Sequence, residues 1–281
     1  MGRFPQLGHR RRLAMGALAA VLSLAVAGVA VGAVVQPAIK TFTPHSANQI
    51  TNLDVLRQQI RNYYGDPLGT GVFSPTSYYA KEARGVAWHG TKWLVNTHRH
   101  TKMKAIVLDV DDTTLNTWNY EIFSNWAYNP TTNAQYVNDQ LFPAVPGMVK
   151  LVTTAANHGY AIIFITGRPA TQEAATLGNL TSDGIGVDAG YPAPTTLIDG
   201  EDGLFTKPAV VDYPQYLKDA CAVEIAAGKS CTTIHYKSAT RAHIESLGYD
   251  IVADFGDQFS DLKGGFADKT FKMPNPNYFL P

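Results

Sequence analysis

The acidic pair Asp109 and Asp111 is the part of the sequence best suited to chemistry. These residues directly follow the short apolar run 105–108, and Thr113 comes two positions later. A run of this length, rich in branched side chains, predicts a strand buried on both faces of a parallel sheet. Ligands of open α/β sheets bind beyond the carboxyl ends of such strands. The pair therefore indicates either a ligand site or an acidic turn that caps the next element.

A second polar strand end is predicted at Thr166, Gly167 and Arg168. These residues follow the apolar run 160–165, and an amphipathic helix is predicted between the two runs. A strand, a helix and a strand in this order form a parallel unit, which brings Thr166 beside Asp109. There a hydroxyl and a backbone N–H can hold an anionic oxygen such as that of phosphate. Arg168 can pair with phosphate or with a structural carboxylate, and both alternatives stay open.

A lysine and two further acids complete the set of candidate residues. Lys237 lies near the start of a predicted helix, and the predicted strand 249–255 is followed by Asp257 and Asp261. If the first and last strands are neighbours in the sheet, these two acids lie close to Asp109. Taken alone, the two acids are also consistent with an acidic turn, and Lys237 with a solvated helix start.

Taken in order, these four segments resemble the four motifs of the haloacid dehalogenase superfamily of phosphatases. The sequence Ile165-Thr-Gly-Arg168, followed by Thr176-Leu-Gly-Asn-Leu180, is similar to the secreted acid phosphatases of plants and bacteria in that superfamily. The resemblance covers residues 104–262. It implies an α/β fold, a Rossmann-like parallel sheet with flanking helices, a small cap insertion after the first motif and an N-terminal helical extension.

The resemblance also implies a chemistry, that of a phosphoric monoester hydrolase. Asp109 is expected to be the nucleophile that forms an aspartyl-phosphate, and Asp111 the general acid and base. Mg²⁺ is expected as the cofactor, bound by the Asp109 carboxylate, the Asp111 main-chain carbonyl and Asp257. Asp112 and Thr113 are expected to shape the turn.

The remaining implied roles concern the phosphoryl group. Lys237 is expected to offset its charge, and Thr166 and Gly167 to bind its oxygens. Asp261 is expected to orient Lys237 or the residues around the metal. The substrates implied are small phosphate monoesters such as nucleotides or aryl phosphates.

Two other functions use the same fold. Some members of this branch are storage proteins that have lost the nucleophile and retain little activity, and the presence of Asp109 argues against this alternative. A phosphotransferase, which passes the phosphoryl group to an acceptor alcohol, would use the same residues as the hydrolase. Only the products distinguish those two enzymes.

The composition narrows the classes of partner. The 281 residues include 45% hydrophobic residues, enough for a full core. Without the four arginines of residues 1–38, 19 basic and 23 acidic residues remain, a net charge of −4. No cluster of basic residues indicates a nucleic-acid polymer as ligand, and no protein partner is implied.

Residues 1–38 are predicted to be an export signal. Four arginines (Arg3, Arg10, Arg11 and Arg12) precede the uncharged run Leu13–Val35, and small residues follow. The alternative is a membrane anchor, because the run is long enough to span a bilayer. In an exported chain the two cysteines, Cys221 and Cys231, predict a disulfide.

The rest of the chain divides into four predicted parts. They are an N-terminal helical extension (39–103), a phosphatase core (104–270) with a cap insertion (115–143) and a variable insertion (199–233), and a C-terminal tail (271–281). The cap insertion is rich in aromatic residues, which are predicted either to stack on a nucleobase or aryl group or to form a small local core. The variable insertion interrupts the family pattern and is predicted to be a second lid or a surface loop.

Several local details are also predicted. Residues 195–198 are expected to form the third strand, and Thr171 and Ser238 to cap helices that end near Gly184 and Gly248. In the extension, two amphipathic helices are expected within 50–64 and 77–97. The pair His98 and His100 is interpreted as a solvated helix end.

Overall fold

The structure, a computed structural model, describes residues 43–97, 103–181 and 185–280. The predicted export signal and the pair His98 and His100 lie outside these residues. Within the described ranges, no helix combines the length and the apolar character needed to cross a membrane.

A parallel sheet flanked by helices forms the core, as predicted. The strands are β1 (Met103–Leu108), β2 (Ala161–Pro169), β3 (Leu204–Lys207), β4 (Tyr249–Gly256) and β5 (Thr270–Lys272). Their order is β3-β2-β1-β4-β5, and every neighbouring pair is parallel. Because β1 is central and pairs with both β2 and β4, the polar residues after these three strands meet at one edge of the sheet.

Ten α-helices accompany the strands in the described residues. They are α1 (Leu53–Tyr64), α2 (Tyr78–Asn96), α3 (Trp118–Ser124), α4 (Pro130–Asn138), α5 (Met148–Asn157), α6 (Glu173–Leu180), α7 (Gln215–Ala220), α8 (Ala222–Ala226), α9 (Thr233–Ser246) and α10 (Phe259–Leu262). The two helices predicted for the extension, α1 and α2, are confirmed. Ser77 caps α2 by accepting a hydrogen bond from the N–H of Ala80 at 3.1 Å.

Both faces of the sheet are covered, which explains the continuous apolar run of β1. Ile106 and Leu108 pack into the core formed with α2 and α5, whereas Ala105 and Val107 face the core formed with α7 and α9. Alternate residues of a strand point to opposite faces. In a strand covered on both sides every position therefore faces an apolar core, and apolar residues are favoured throughout.

The third strand differs from its prediction. Residues 195–198 are not a strand, and β3 (Leu204–Lys207) lies inside the predicted variable insertion. The N–H of Leu197 donates to the carbonyl of Glu201 at 2.7 Å across a turn at Gly200, whose φ is +94°. Thr195 contacts β2, because its N–H donates to the carbonyl of Ile162 at 2.8 Å. The turn interrupts this contact, and the chain pairs along β2 as a strand from Leu204.

The remainder of the variable insertion is a helical segment closed by a disulfide. A disulfide joins Cys221 and Cys231, which confirms the predicted pairing. Both cysteines are buried, and they pack beside Leu217 in the core formed with α7 and α9. The insertion therefore belongs partly to the core of the protein.

Two helix starts and the C-terminal tail also differ from the predictions. Helix α6 is preceded by Gln172 rather than Thr171, and α9 is capped by Thr232, whose side chain accepts from the N–H of His235 at 3.2 Å. Ser238 instead lies within α9 and donates to the carbonyl of Gly264. The predicted end of α6 at Gly184 lies outside the described residues. The predicted tail (271–281) begins within β5, which pairs with β4.

Candidate active site

Asp109 lies directly after the central strand. Its N–H donates to the carbonyl of Phe255 on β4 at 2.9 Å, and its side chain is buried. The neighbouring hydroxyl of Thr114 donates to the Asp109 carbonyl at 3.1 Å. The backbone on both sides of the carboxylate is therefore fixed by the sheet and by the turn that follows it.

Lys237 extends from α9 into this edge of the sheet. Its ammonium group donates to Oδ1 of Asp109 and, at 2.8 Å, to Oδ1 of Asp261. The side chain is only 3% exposed. Burial opposes its charge, but the carboxylates of Asp109 and Asp261 raise the Lys237 pKa above its ordinary value, so the ammonium form persists.

Three carboxylates converge around this ammonium group. Oxygens of Asp109, Asp257 and Asp261 lie within 4.8 Å of one another, and all three residues are buried. Burial raises the pKa of Asp109 well above its ordinary value, with Lys237 opposing the shift. Burial, followed by the nearby Asp261, raises the pKa of Asp257 to about 7. One lysine thus compensates only part of the negative charge.

Asp111 points to a different partner. Its two carboxylate oxygens accept hydrogen bonds from Nη2 and Nε of Arg168 at 2.6 and 3.1 Å. The Arg168 side chain is 4% exposed and also donates to Oγ1 of Thr176 at 3.1 Å, whereas the Asp111 side chain is 33% exposed. Of the two alternatives for Arg168, the structure shows the pairing with a carboxylate.

Thr166 and Gly167 lie close to this pair. The Thr166 hydroxyl is buried and accepts from the N–H of Arg168 at 3.2 Å. The pairing of β2 with β3 shifts register between Ile165 and Pro169, so these residues lie inside the strand rather than after its end. Gly167 is exposed, and a Cβ built on it meets no atom within 4 Å. The open space beside Gly167 leaves room for a ligand oxygen.

Asp112 and Thr113 form the turn after Asp109. Asp112 has a φ of +53°, in the left-handed region that Asp and Asn tolerate. Its carboxylate accepts from the hydroxyl and the N–H of Thr117 at 2.6 and 3.1 Å. Burial raises the pKa of Asp112 to about 7. The Thr113 hydroxyl donates to Oδ1 of Asp257 at 3.2 Å, which ties the turn to the acid cluster.

Three residues that contact the acid cluster or its neighbours were not identified from the sequence. Arg241 is buried one turn after Lys237 on α9, pairs with Asp254 at 3.1 Å and donates to the carbonyl of Gly265. Asn275 and Gln258 both donate to Asp257. The spacing of Lys237 and Arg241 on one helix face was a usable signal for Arg241. No local pattern indicates Asn275, which is 18 residues away from Asp257.

The aromatic residues of the cap insertion divide into two groups. Trp118 is fully buried and stacks on Tyr64 of α1, with ring centroids 4.1 Å apart. Tyr120 is also buried and makes an edge contact with Tyr136. These residues form a local core, one of the two predicted alternatives. Tyr128 is 71% exposed.

Comparison with known proteins finds relatives among plant proteins. The chain is 32% identical to the stem 28 kDa glycoprotein of Glycine max over 155 residues, which are 54% of this chain and 50% of that protein. It is 26% identical to acid phosphatase 1 of Solanum lycopersicum over 183 residues, 62% of this chain and 58% of that protein. The chain thus spans about half the length of the curated relatives it matches.

The structure resembles the class C acid phosphatase from Bacillus anthracis. The TM-score is 0.52 at 20% sequence identity, with 80% of this chain and 86% of the other covered. This similarity supports the fold. The sequence profile of subfamily IIIB of the haloacid dehalogenase (HAD) superfamily, described as acid phosphatase, matches residues 31–281. The chain therefore belongs to the HAD subfamily IIIB acid phosphatase family.

Proposed function

We propose that the protein is a Mg²⁺-dependent phosphomonoesterase that hydrolyses small organic phosphate esters through an aspartyl-phosphate. The observation that carries this proposal is the buried Lys237 ammonium between Asp109 and Asp261, at the end of the central strand. Phosphoryl transfer depends mainly on positioning and on compensation of charge. A cation fixed beside a candidate nucleophile supplies both.

The residues of the acid cluster fit a magnesium ion. Oxygen ligands are those that Mg²⁺ prefers, and a buried cluster of three carboxylates and one lysine has an excess of negative charge. The carboxylates of Asp109 and Asp257 and the main-chain carbonyl of Asp111 would hold the ion. When bound, it would offset the charge of the carboxylate and of the phosphate that approaches it.

Asp109 is the proposed nucleophile. One of its oxygens attacks phosphorus, the bond to the ester oxygen breaks, and the alcohol leaves with a proton from Asp111. Asp111 then takes a proton from water, which attacks the aspartyl-phosphate and releases inorganic phosphate and free Asp109. Thr166 and Gly167 are proposed to bind phosphoryl oxygens through a hydroxyl and an N–H, and Asp261 to keep Lys237 oriented, which the hydrogen bond between Lys237 and Asp261 supports.

Arg168 has a proposed role both before and after the substrate binds. Without substrate it holds Asp111 with two hydrogen bonds. A guanidinium group binds phosphate with the same paired geometry that it uses for a carboxylate. We therefore propose that Arg168 turns to a phosphoryl oxygen when the ester binds, which frees the Asp111 carboxylate for proton transfer.

The substrate class is proposed to include esters with an aromatic group, such as nucleotides or aryl phosphates. Tyr128 of the cap insertion is 71% exposed. Its ring is available to stack on a base or an aryl group. The protein is further proposed to be exported, as the predicted signal and the disulfide suggest.

Release of phosphate from a panel of monoesters, measured with Mg²⁺ and with chelator, tests the proposal. We expect Mg²⁺-dependent release of phosphate. In Asp109→Asn the rate of release should fall at least about a thousandfold, because removal of a nucleophile lowers the rate by several orders of magnitude. Asp219→Asn, which changes an exposed acid of α7, is the control and should retain wild-type activity.

Three outcomes would contradict the proposal. Activity of Asp109→Asn within about tenfold of wild type, in a folded protein, would exclude Asp109 as the nucleophile. An absence of release from every ester would instead favour the storage or binding alternative. Transfer to an added alcohol rather than to water would identify a phosphotransferase.

A further inference from the structure

The C-terminal segment Met273–Leu280 runs beside the acid cluster. The N–H of Met273 donates to the carbonyl of Gly256 at 2.8 Å, and the N–H of Leu280 donates to Oε1 of Gln258 at 2.9 Å. Gly256 and Gln258 flank Asp257 in the chain. Both ends of the segment are therefore attached to the loop that presents Asp257, a proposed magnesium ligand.

Asn275 of this segment contacts Asp257 directly. Its Nδ2 donates to Oδ2 of Asp257 at 2.7 Å, and Nε2 of Gln258 donates to the same oxygen at 2.6 Å. Among the residues that the structure describes, the other oxygen, Oδ1, accepts one longer hydrogen bond, from the Thr113 hydroxyl at 3.2 Å. Two amide donors on one oxygen fix the orientation of the carboxylate and leave Oδ1 as the better available ligand atom.

The orientation of the Asn275 amide is itself determined by its neighbours. Its Oδ1 accepts from the N–H of Asn277 at 2.8 Å, so the NH₂ group must face Asp257. Asn277 in turn donates to the Tyr64 hydroxyl at 3.0 Å and accepts from Nε1 of Trp126 at 3.3 Å. The segment is thus anchored to both the N-terminal extension and the cap insertion.

We infer that Asn275 is a positioning residue for the cation site, acting by holding the Asp257 carboxylate in the orientation that binds Mg²⁺. The inference rests on the proposed function and extends it to a segment outside the four motifs. A neutral amide suits this position because it donates to Asp257 without placing a competing positive charge beside the metal. Partners that orient metal ligands contribute strongly to metal affinity.

Calorimetric titration of the full chain with Mg²⁺ tests this inference. For Asn275→Ala we expect the Mg²⁺ Kd to rise about 10- to 100-fold, as is usual when such a partner is lost. Saturating Mg²⁺ should restore kcat to within about twofold, with the KM for an aryl phosphate unchanged, because the variant loses affinity for the ion and not the chemistry.

Asn277→Ala is the matched control. It changes the same residue type in the same segment and removes contacts to Tyr64 and Trp126, but none to Asp257. Its Kd for Mg²⁺ should stay within about threefold of wild type, well below the shift expected for a ligand partner. An equal rise in both variants would overturn the assignment to Asn275, because loosening of the segment would then be sufficient.

Two further results separate this inference from the proposed function. If wild type binds Mg²⁺ and Asn275→Ala binds it equally well, the inference is wrong and the proposed function stands. If wild type binds no Mg²⁺, both are wrong. Should Asn275→Ala fail to fold in chelator, Asn275→Ser replaces it. Its short hydroxyl cannot reach Asp257, so its Kd should rise at least about fivefold, and a wild-type Kd would overturn the inference.

Discussion

Replacement of Lys237 by methionine is the most direct test of the charge balance in the acid cluster. Lys237 is 3% exposed and compensates Asp109 and Asp261, and an oxygen of Asp257 lies within 4.8 Å of theirs. Removing one partner of a buried ion pair typically costs about 3–5 kcal/mol, because the remaining charge is left buried without compensation. We expect Lys237→Met to lose that much unfolding free energy near pH 8 in chelator.

Two conditions should reduce this loss. The pKa of Asp109 is raised by burial even with Lys237 present, and removal of the lysine raises it further. Protonation of this carboxylate in the folded variant therefore becomes more favourable as the pH falls, and the loss of unfolding free energy should be smaller near pH 5 than near pH 8. Excess Mg²⁺ near pH 8 should also reduce the loss, because the ion replaces the missing positive charge.

Urea unfolding near pH 5 and near pH 8, with chelator or Mg²⁺, measures both effects. Lys207→Met is the control, because Lys207 is also partly buried but donates to a carbonyl, that of Cys231, at 2.7 Å. This control should lose only about 1 kcal/mol, the usual contribution of one hydrogen bond. A loss below about 1 kcal/mol in Lys237→Met near pH 8 would refute the reasoning, since an uncompensated buried cluster must cost more.

Further predictions concern α2 and the turn after Asp109. A Cβ on Gly90 would lie 2.6 Å from Phe255 and 2.8 Å from Leu151, so Gly90→Ala should lower the unfolding free energy by about 1–3 kcal/mol. Gly85→Ala, in the same helix with no atom within 4 Å, should raise it by about 0.5–1 kcal/mol. The folded-state pKa of Asp112 is raised to about 7 from its ordinary value, so its contribution to stability is full at low pH and lost as the pH rises to about 7. Asp112→Asn keeps the shape, tolerates the positive φ and should therefore stabilise the metal-free protein near pH 8 but not near pH 4. Thermal or urea unfolding of each variant beside wild type checks these values. Equal effects of Gly90→Ala and Gly85→Ala would contradict the first pair of predictions. An equal effect of Asp112→Asn near pH 4 and near pH 8 would contradict the last.

The sheet was predictable where sequence and burial agree. Strands β1, β2 and β4 contain apolar runs covered on both faces, and the predicted polar residues follow each apolar run, inside the strand in β2 and after its end in β1 and β4. The third strand was placed wrongly because three of the four residues 195–198 (Thr-Thr-Leu-Ile) are β-branched, which is typical of a strand. The chain turns at Gly200 and pairs along β2 only afterwards, as β3 (Leu204–Lys207), a strand of four residues.

The candidate site was predictable in its residues but not in its pairings. Asp109 and Asp257 were expected to lie together if the first and last strands are neighbours, and the resemblance to the third motif of the superfamily indicated Lys237. The sequence does not indicate that Arg168 binds Asp111 or that Asn275 binds Asp257. Such contacts depend on side-chain directions over long sequence separations, and no periodicity of the chain records them.

The stack of Trp118 on Tyr64 gives the molecule an internal optical reporter. The two rings are 4.1 Å apart and nearly parallel, at 3°, and they belong to the cap insertion and to the N-terminal extension. Transitions of rings held this close and this rigidly couple, and they contribute a near-ultraviolet circular dichroism signal that free side chains lack. A displacement of the cap insertion from the extension would break the stack, so this signal reports their contact in the unlabelled protein.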